Sequence, residues 1–191
     1  MTLEDPDAAR GQLTGLLRAW SGGDGQAADA VLSLVYDRIR QLAARRLRAD
    51  GGPPLLQPTE LANELVINLL GADVAWQDRV HFFKTVAVAM RNILHDVGRR
   101  QASAKRGGGQ VRVTLGAAED VAMDEVGDAE ALYEALTQLR ESDPRKADVI
   151  ELNYLVGLEL EEVARVLDVS LATVNRDLRF ARAWLKERLE A

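Results

Sequence analysis

Cysteine is absent from this chain, and histidine occurs only as His81 and His95. Without thiolates there is no disulfide and no thiolate metal site, and so little imidazole disfavours a zinc centre or a histidine-activated nucleophile. Aromatic residues make up only 5% of the chain. No apolar run approaches the ~20 residues that would span a bilayer, and the acidic segment MTLEDPD has no charged-then-apolar leader. The expectation is a cytoplasmic protein with no membrane insertion. Alternating strand patterns are nearly absent too, and the only glycine triplet, Gly107 to Gly109, runs into polar sequence and not into a helix. A phosphate loop needs that helix. Catalytic residues, metal ligands and cofactors are therefore not expected, and the chain does not read as an enzyme.

What is present is helical periodicity. Apolar residues are 47% of the 191, and they recur at three- and four-residue steps, the spacing that gathers side chains on one helix face. A first helix is expected around Arg10 to Trp20, before SGGDG. A second, roughly Ala27 to Arg48, would bury Val31, Leu34, Val35, Ile39, Leu42 and Leu47. After the turn DGGPP, a third would open at Pro58, a residue suited to the first helical position. It stacks Leu61, Leu65 and Leu69 beside Ala62, Val66 and Leu70. A fourth, about Val80 to Arg100, would bury Phe83, Ala87, Met90, Leu94 and Val97. From Ala102 to Asp128 the periodicity fails in a stretch of small and acidic residues that reads as a linker. Helices resume at Ala129 to Arg140, then at Pro144 behind the cap Asp143, with Gly157 closing that helix. The fold class is all-α, in two small helical domains: 8–101, a linker 102–128, and 129–191.

The C-terminal part carries the chemistry. GLELEEVARVLDVSLATVNRDLRFARAWLKER reads as helix, tight turn, helix. Ser170 suits the N-cap of the second helix, and Asp168 tolerates the left-handed conformation such a turn requires. Glu159 stands where a hydroxyl cap would be expected for the first. Leu171, Val174, Leu178, Ala181 and Leu185 form one apolar stripe, while Thr173, Asn175, Arg176, Arg179, Phe180 and Arg182 line the other face. Those side chains can hydrogen-bond base edges and phosphates in a major groove. A helical hairpin that merely packs on a neighbour is the alternative. The net charge of -6 argues against indiscriminate DNA binding, which relies on neutralised phosphates. Charge is unevenly spread, however: Arg38, Arg40, Arg45, Arg46 and Arg48 crowd one segment and Arg99, Arg100, Lys105, Arg106 and Arg112 another. Glu119 to Glu134 holds seven acids and no base.

This order of basic helical domain, acidic linker and helix-turn-helix resembles the extracytoplasmic-function (ECF) sigma factors, the two-domain group of bacterial RNA polymerase sigma subunits. The resemblance covers nearly the whole chain. GLELEEVARVLDVSLATVNRDLRFARAWL is similar to the family's region four, and HFFKTVAVAMRNILHDVGRR to the region-two helix that engages the minus-ten element. It implies a promoter-specificity subunit whose partners are core RNA polymerase and promoter DNA, both duplex and melted nontemplate strand. The second helix of region four would read the minus-thirty-five element through Thr173, Asn175, Arg176, Arg179, Phe180 and Arg182.

By the same resemblance, the loop Gly71 to Val80 would hold an unstacked minus-ten base. Trp76 would stack on it, or alternatively lie as a lid on the domain core; Gln77 and Asp78 would hydrogen-bond, and Arg91, Asn92, Arg99 and Arg100 would hold the strand's backbone. The acidic linker would run through the polymerase, its charge imitating RNA. Two departures stand out. Asp177 takes a place that is often basic in the family. The acidic cluster that opens the third helix and binds the polymerase clamp is here Gln57, Pro58, Thr59 and Glu60, leaving Glu60 and Glu64 as the acidic core-binding candidates. Phosphorylating Thr59 would add about -1.5 to -2 charges in a first helical turn, where the dipole favours anions. The chain resembles groups of the family with this QPT variant that are paired with serine/threonine kinases instead of membrane-bound anti-sigma factors, which implies a kinase, or else an anti-sigma factor, as the controlling partner. A freestanding helix-turn-helix regulator, dimeric to read two half-sites, and a helical adaptor that never touches nucleic acid are the competing readings.

Overall fold

Short side chains that accept backbone N–H bonds set where the helices begin. The Asp24 carboxylate accepts from the N–H groups of Gln26 (2.9 Å) and Ala27 (3.2 Å), satisfying donors that the first turn of a helix leaves unpaired. Asp78 does the same for His81 (2.8 Å). Asp143 does it for Lys146 (3.1 Å), with Pro144 in the first turn. The resulting computed structural model describes residues 6–46, 58–72, 74–104, 112–113 and 126–190. Its helices are α1 (Pro6–Ser21), α2 (Gly25–Arg46), α3 (Pro58–Gly71), α4 (Arg79–Ala104), α5 (Ala129–Ser142), α6 (Pro144–Tyr154), α7 (Leu160–Leu167) and α8 (Leu171–Glu190). The architecture is all-α. The only strands among the described residues are the short antiparallel pair β1 (Arg112–Val113) and β2 (Val126–Asp128), which lie within the span read as linker. The turn DGGPP, Leu47, Gly107 to Gly109 and the acids Glu119 to Glu125 lie outside the described residues, as do the side chains of Leu42 and Val97.

In the N-terminal half α2 packs against α3 and α1, and α3 against α4. Leu17, Val31, Ile39, Ala62, Leu65, Leu69, Phe82 and Val86 form its fully enclosed centre. Three residues expected inside this core or on the α8 stripe are exposed instead: Leu34, Leu70 and Leu171. Leu34 and Leu70 sit at the edges of their apolar stripes, and Leu171 is the first residue of α8, ahead of the point where that helix meets α6. In the C-terminal half α6 packs against α8, α5 and α7, with α5 also on α8. Leu139, Val149, Leu152, Val163, Val174, Ala181 and Leu185 are enclosed there.

Trp76 belongs to the N-terminal core. It is 4% exposed, and its ring stands 5.1 Å from Trp20 and 5.1 Å from Phe82, edge-on to the latter, with His81 at 6.0 Å. Its backbone N–H donates to Ser21 Oγ at 2.8 Å. This corrects the base-stacking expectation, because the loop before α4 folds inward to close the gap between α1 and α4 and leaves no ring face for a nucleotide. Asp78 is exposed, and one oxygen of its carboxylate caps α4. Trp76→Ala should accordingly destabilise the fold by about 3–5 kcal/mol, the usual cost of deleting a buried aromatic side chain. Urea denaturation of the full chain checks this, and an unchanged midpoint would place the ring outside the core.

Candidate nucleic-acid interface

The turn between α7 and α8 is built as its residue types dictate. Asp168 takes the left-handed conformation at φ 54° and ψ 48°, and Ser170 Oγ accepts the Thr173 N–H at 3.1 Å. At the start of α7, Glu162 supplies the reciprocal half of a capping box, its carboxylate accepting the Glu159 backbone N–H at 3.0 Å. Gly157, at φ 79°, turns the chain out of α6. This fixes α8 so that Asn175, Arg176, Arg179 and Phe180 are exposed side by side. Asn175 Nδ2 donates to the Leu171 carbonyl at 2.9 Å, which leaves its side-chain oxygen outward. Thr173 is partly withdrawn, its hydroxyl 2.9 Å from that of Ser170. Arg182 leans inward, its guanidinium 5.3 Å from the Tyr154 ring.

Asp177 does not belong to this exposed face. Its carboxylate is 1% exposed and takes Arg145 Nε at 2.7 Å, so the departure from the basic pattern is an internal tie between α8 and the start of α6. The same tie brings the N-terminus of α6 alongside α8. Lys146, bonded to Asp143, stands with its ammonium 4.7 Å from the Phe180 ring. Arg145 and Lys146 thus flank the exposed face of α8, a placement that periodicity within α8 alone could not reveal.

The residues proposed for strand capture separate into two groups. Gln77, Asn92 and Arg99 are exposed, and Arg100 is exposed while pairing with Glu64 at 3.1 Å. Glu64, a core-binding candidate, and Arg100, a strand-binding candidate, therefore meet. Thr59 and Glu60 are exposed in the first turn of α3. Arg91 is different. It is nearly buried, and its Nη1 donates to Glu151 Oε1 of α6 at 3.0 Å.

Around Arg91 lies a charge network that the sequence reading missed. Glu151, with no side-chain exposure, also accepts from Arg140 Nη2 at 2.7 Å. Asp148, one turn earlier, takes Arg140 Nη1 at 2.9 Å and Lys84 Nζ at 2.6 Å. His95 stacks on Tyr133 with centroids 4.0 Å apart. Burial pushes the Glu151 carboxyl above the ordinary carboxylate value, and Arg140 and Arg91 offset only part of that push. Burial pulls Arg140 the other way, but Glu151 and Asp148 raise it above its ordinary value. The available signal was two carboxylates three residues apart in ADVIELNY, a helix whose other residues are largely apolar.

Among the described residues no group of His, Asp and Glu could hold a metal ion, and no helix is long and apolar enough to cross a membrane. The geometry is that of an all-helical chain whose last helix buries one face and exposes a polar one. The family model for ECF sigma factors matches residues 10–191. The chain belongs to that family and is a promoter-specificity subunit of transcription initiation, a non-enzymatic partner of core RNA polymerase and promoter DNA. Among curated proteins and among solved structures, no match to it is found.

The Arg145 to Asp177 tie carries a specific expectation. Arg145→Ala strands a buried carboxylate with only the more distant Arg176 Nε, at 3.8 Å, for company. It should destabilise the fold, because a buried carboxylate loses its close partner, and clearly more than Arg176→Ala at an exposed side chain, which should cost under about 1 kcal/mol. Thermal unfolding of the two variants decides between them: equal losses would mean that Asp177 is not held by Arg145.

Proposed function

We propose that α8 reads the minus-thirty-five element from the major groove while α4 and the loop before it engage the melted minus-ten strand, with core polymerase gripping the α3 region. The functional units are then 8–101 and 129–191, joined by 102–128. The observation that carries this is the exposed row Asn175, Arg176, Arg179 and Phe180 on a helix whose opposite face buries Val174, Leu178, Ala181 and Leu185. Two arginines one turn apart present planar donors that match the paired acceptors of guanine. Arg145 and Lys146 lie where phosphates of the same groove would run. On α4, Asn92, Arg99 and Arg100 are exposed, as is Gln77 in the loop before that helix, and Arg91 would join them on leaving Glu151.

Control through α3 is supported by its sequence. Thr59, exposed in the first turn, stands where a phosphate would face a helix N-terminus. A serine/threonine kinase acting there would add to Glu60 and Glu64 the acidity that the polymerase contact needs, and an anti-sigma factor is the competing controller.

Run-off transcription with purified core polymerase tests the reading as a whole, since sequence-specific DNA binding should require core enzyme. Tight, specific binding of the isolated protein to a palindromic duplex would point to a freestanding regulator. Arg176→Ala and Arg179→Ala should each weaken promoter binding by ~1–3 kcal/mol where the side chain reads a base. Equal losses on cognate and scrambled minus-thirty-five sequences would reduce them to phosphate contacts. Thr59→Glu should tighten core binding partly, and less at higher ionic strength; wild-type affinity for both Thr59→Glu and Thr59→Ala, with no gain on kinase treatment, would remove the switch.

A further inference from the structure

Asp177 lies between Arg176 and Arg179 in sequence, yet its carboxylate is buried. Neither stability nor attraction to DNA accounts for an acid at that place. Burying a carboxylate costs hydration, and a well-packed apolar side chain of similar size often stabilises a fold as well or better. Beside a polyanion it is also repulsive, so it lowers the affinity that phosphate contacts supply. What a carboxylate provides, and an apolar or basic residue does not, is a fixed direction for a guanidinium.

Two guanidinium groups meet it. Oδ2 of Asp177 accepts Arg145 Nε at 2.7 Å and Oδ1 accepts Arg145 Nη2 at 3.4 Å, a side-on pairing that sets the plane of the group. Arg176 Nε lies 3.8 Å from the same Oδ1. A guanidinium carries five N–H donors. Asp177 engages two of those on Arg145, which leaves three on a half-exposed side chain, and Arg176 is exposed. One arginine comes from the first turn of α6 and the other from α8, and these two helices pack together. The start of α6 is fixed to α8 a second time by Lys146, whose ammonium is bonded to Asp143 and stands 4.7 Å from the Phe180 ring. Arg145 is thus held in register with α8 by an element that is itself anchored.

The two arginines suit different tasks. A base-reading arginine must present a planar pair of donors to the acceptors of guanine, and Arg176 stands on the exposed face of α8 between Asn175 and Arg179. Arg145, on the flanking helix, suits the phosphate backbone, which fixes register without reading sequence. A side chain that arrives already oriented loses less freedom on binding. We propose that Asp177 is a positioning residue of the recognition surface: it holds Arg145 toward a phosphate of the minus-thirty-five duplex and aims Arg176 at a guanine edge in the adjoining groove. Its charge lowers nonspecific attraction and raises base selectivity. The inference rests on the reading of α8 as the minus-thirty-five helix.

Position-resolved binding by the holoenzyme tests it. The probe is a promoter duplex that core polymerase carrying the wild-type chain selects from a library randomised over the minus-thirty-five element, with its single-base-pair substitutions and a scrambled version. Arg176→Ala marks the base pair that Arg176 reads, expected to be G·C, as the one where preference disappears; if no base pair is marked, the proposal is overturned. Asp177→Asn has nearly the same shape and no charge. It should relax preference several-fold at the marked base pair and leave the other positions unchanged, with equal or higher affinity for the scrambled duplex because an acid has gone. Wild-type preference at that base pair overturns the proposal, and so does equal relaxation at every position, which is what a displaced α8 would give. Arg145→Lys keeps the cation but not the two-point pairing, and it should relax the same base pair. Should Asp177→Asn fail to fold, that second variant decides: wild-type selectivity in Arg145→Lys overturns the positioning role. A wild-type holoenzyme that enriches no minus-thirty-five sequence at all is a separate outcome, and it removes the reading of α8 together with the proposal built on it.

Discussion

The Glu151 carboxylate, without solvent exposure and held between Arg91 and Arg140, is the interaction on which the arrangement of the helices depends. A carboxylate taken out of water is stable only when its oxygens are matched. Here one oxygen is satisfied from α5, the neighbour within its own bundle, and the other from α4. Removing either arginine would leave a buried charge incompletely paired. The orientation of α6 is thereby tied to two helices on opposite sides, and α6 in turn sets the recognition helix through Arg145 and Asp177. A chain of charged contacts thus runs from α4 through α6 to α8.

The two candidate DNA surfaces stand in different states along that chain. On α8 the arginines point outward because Asp177, the one acid in the row, is turned inward and neutralised. On α4 the central arginine is already spent on an internal acid, and Arg100 is paired with Glu64. The α8 row is open to solvent, whereas on α4 Arg91 and Arg100 are already paired with acids. Such an asymmetry fits a subunit that should not capture single-stranded nucleic acid before it has joined polymerase. It also fits a net charge of -6, since the acids that lower overall affinity for polyanions include those placed against the basic helices.

Much of the fold was legible in the sequence for a plain reason. Helix periodicity and capping residues act locally, so Asp143, Pro144, Asp168 and Ser170 could be assigned their roles without knowledge of any neighbour, and the exposed row on α8 followed from its spacing. What depends on neighbours was not legible. Leu34 and Leu70 continue apolar stripes yet face solvent, because the width of a buried face is set by the partner helix. Trp76 and Asp78 sit in a loop whose composition suits a ligand equally well, and only the position of α1 shows that the ring closes the core and the carboxylate caps α4. Asp177 reads as a surface residue until Arg145, 32 positions away, is brought to it. Arg91 and Glu151 are 60 residues apart, and nothing in either segment alone says that they meet.

The central claim is that this charge network ties α4 to α6 and so holds the two helical halves together. Pulsed electron paramagnetic resonance on spin labels at Val88→Cys of α4 and Glu187→Cys of α8, in a chain with no competing thiol, reads that separation directly. The account predicts one narrow, short distance in the otherwise unchanged chain and a broadened one when Glu151→Ala removes the carboxylate between Arg91 and Arg140. A broad distribution in the otherwise unchanged chain, or a narrow distance that survives Glu151→Ala, would contradict it.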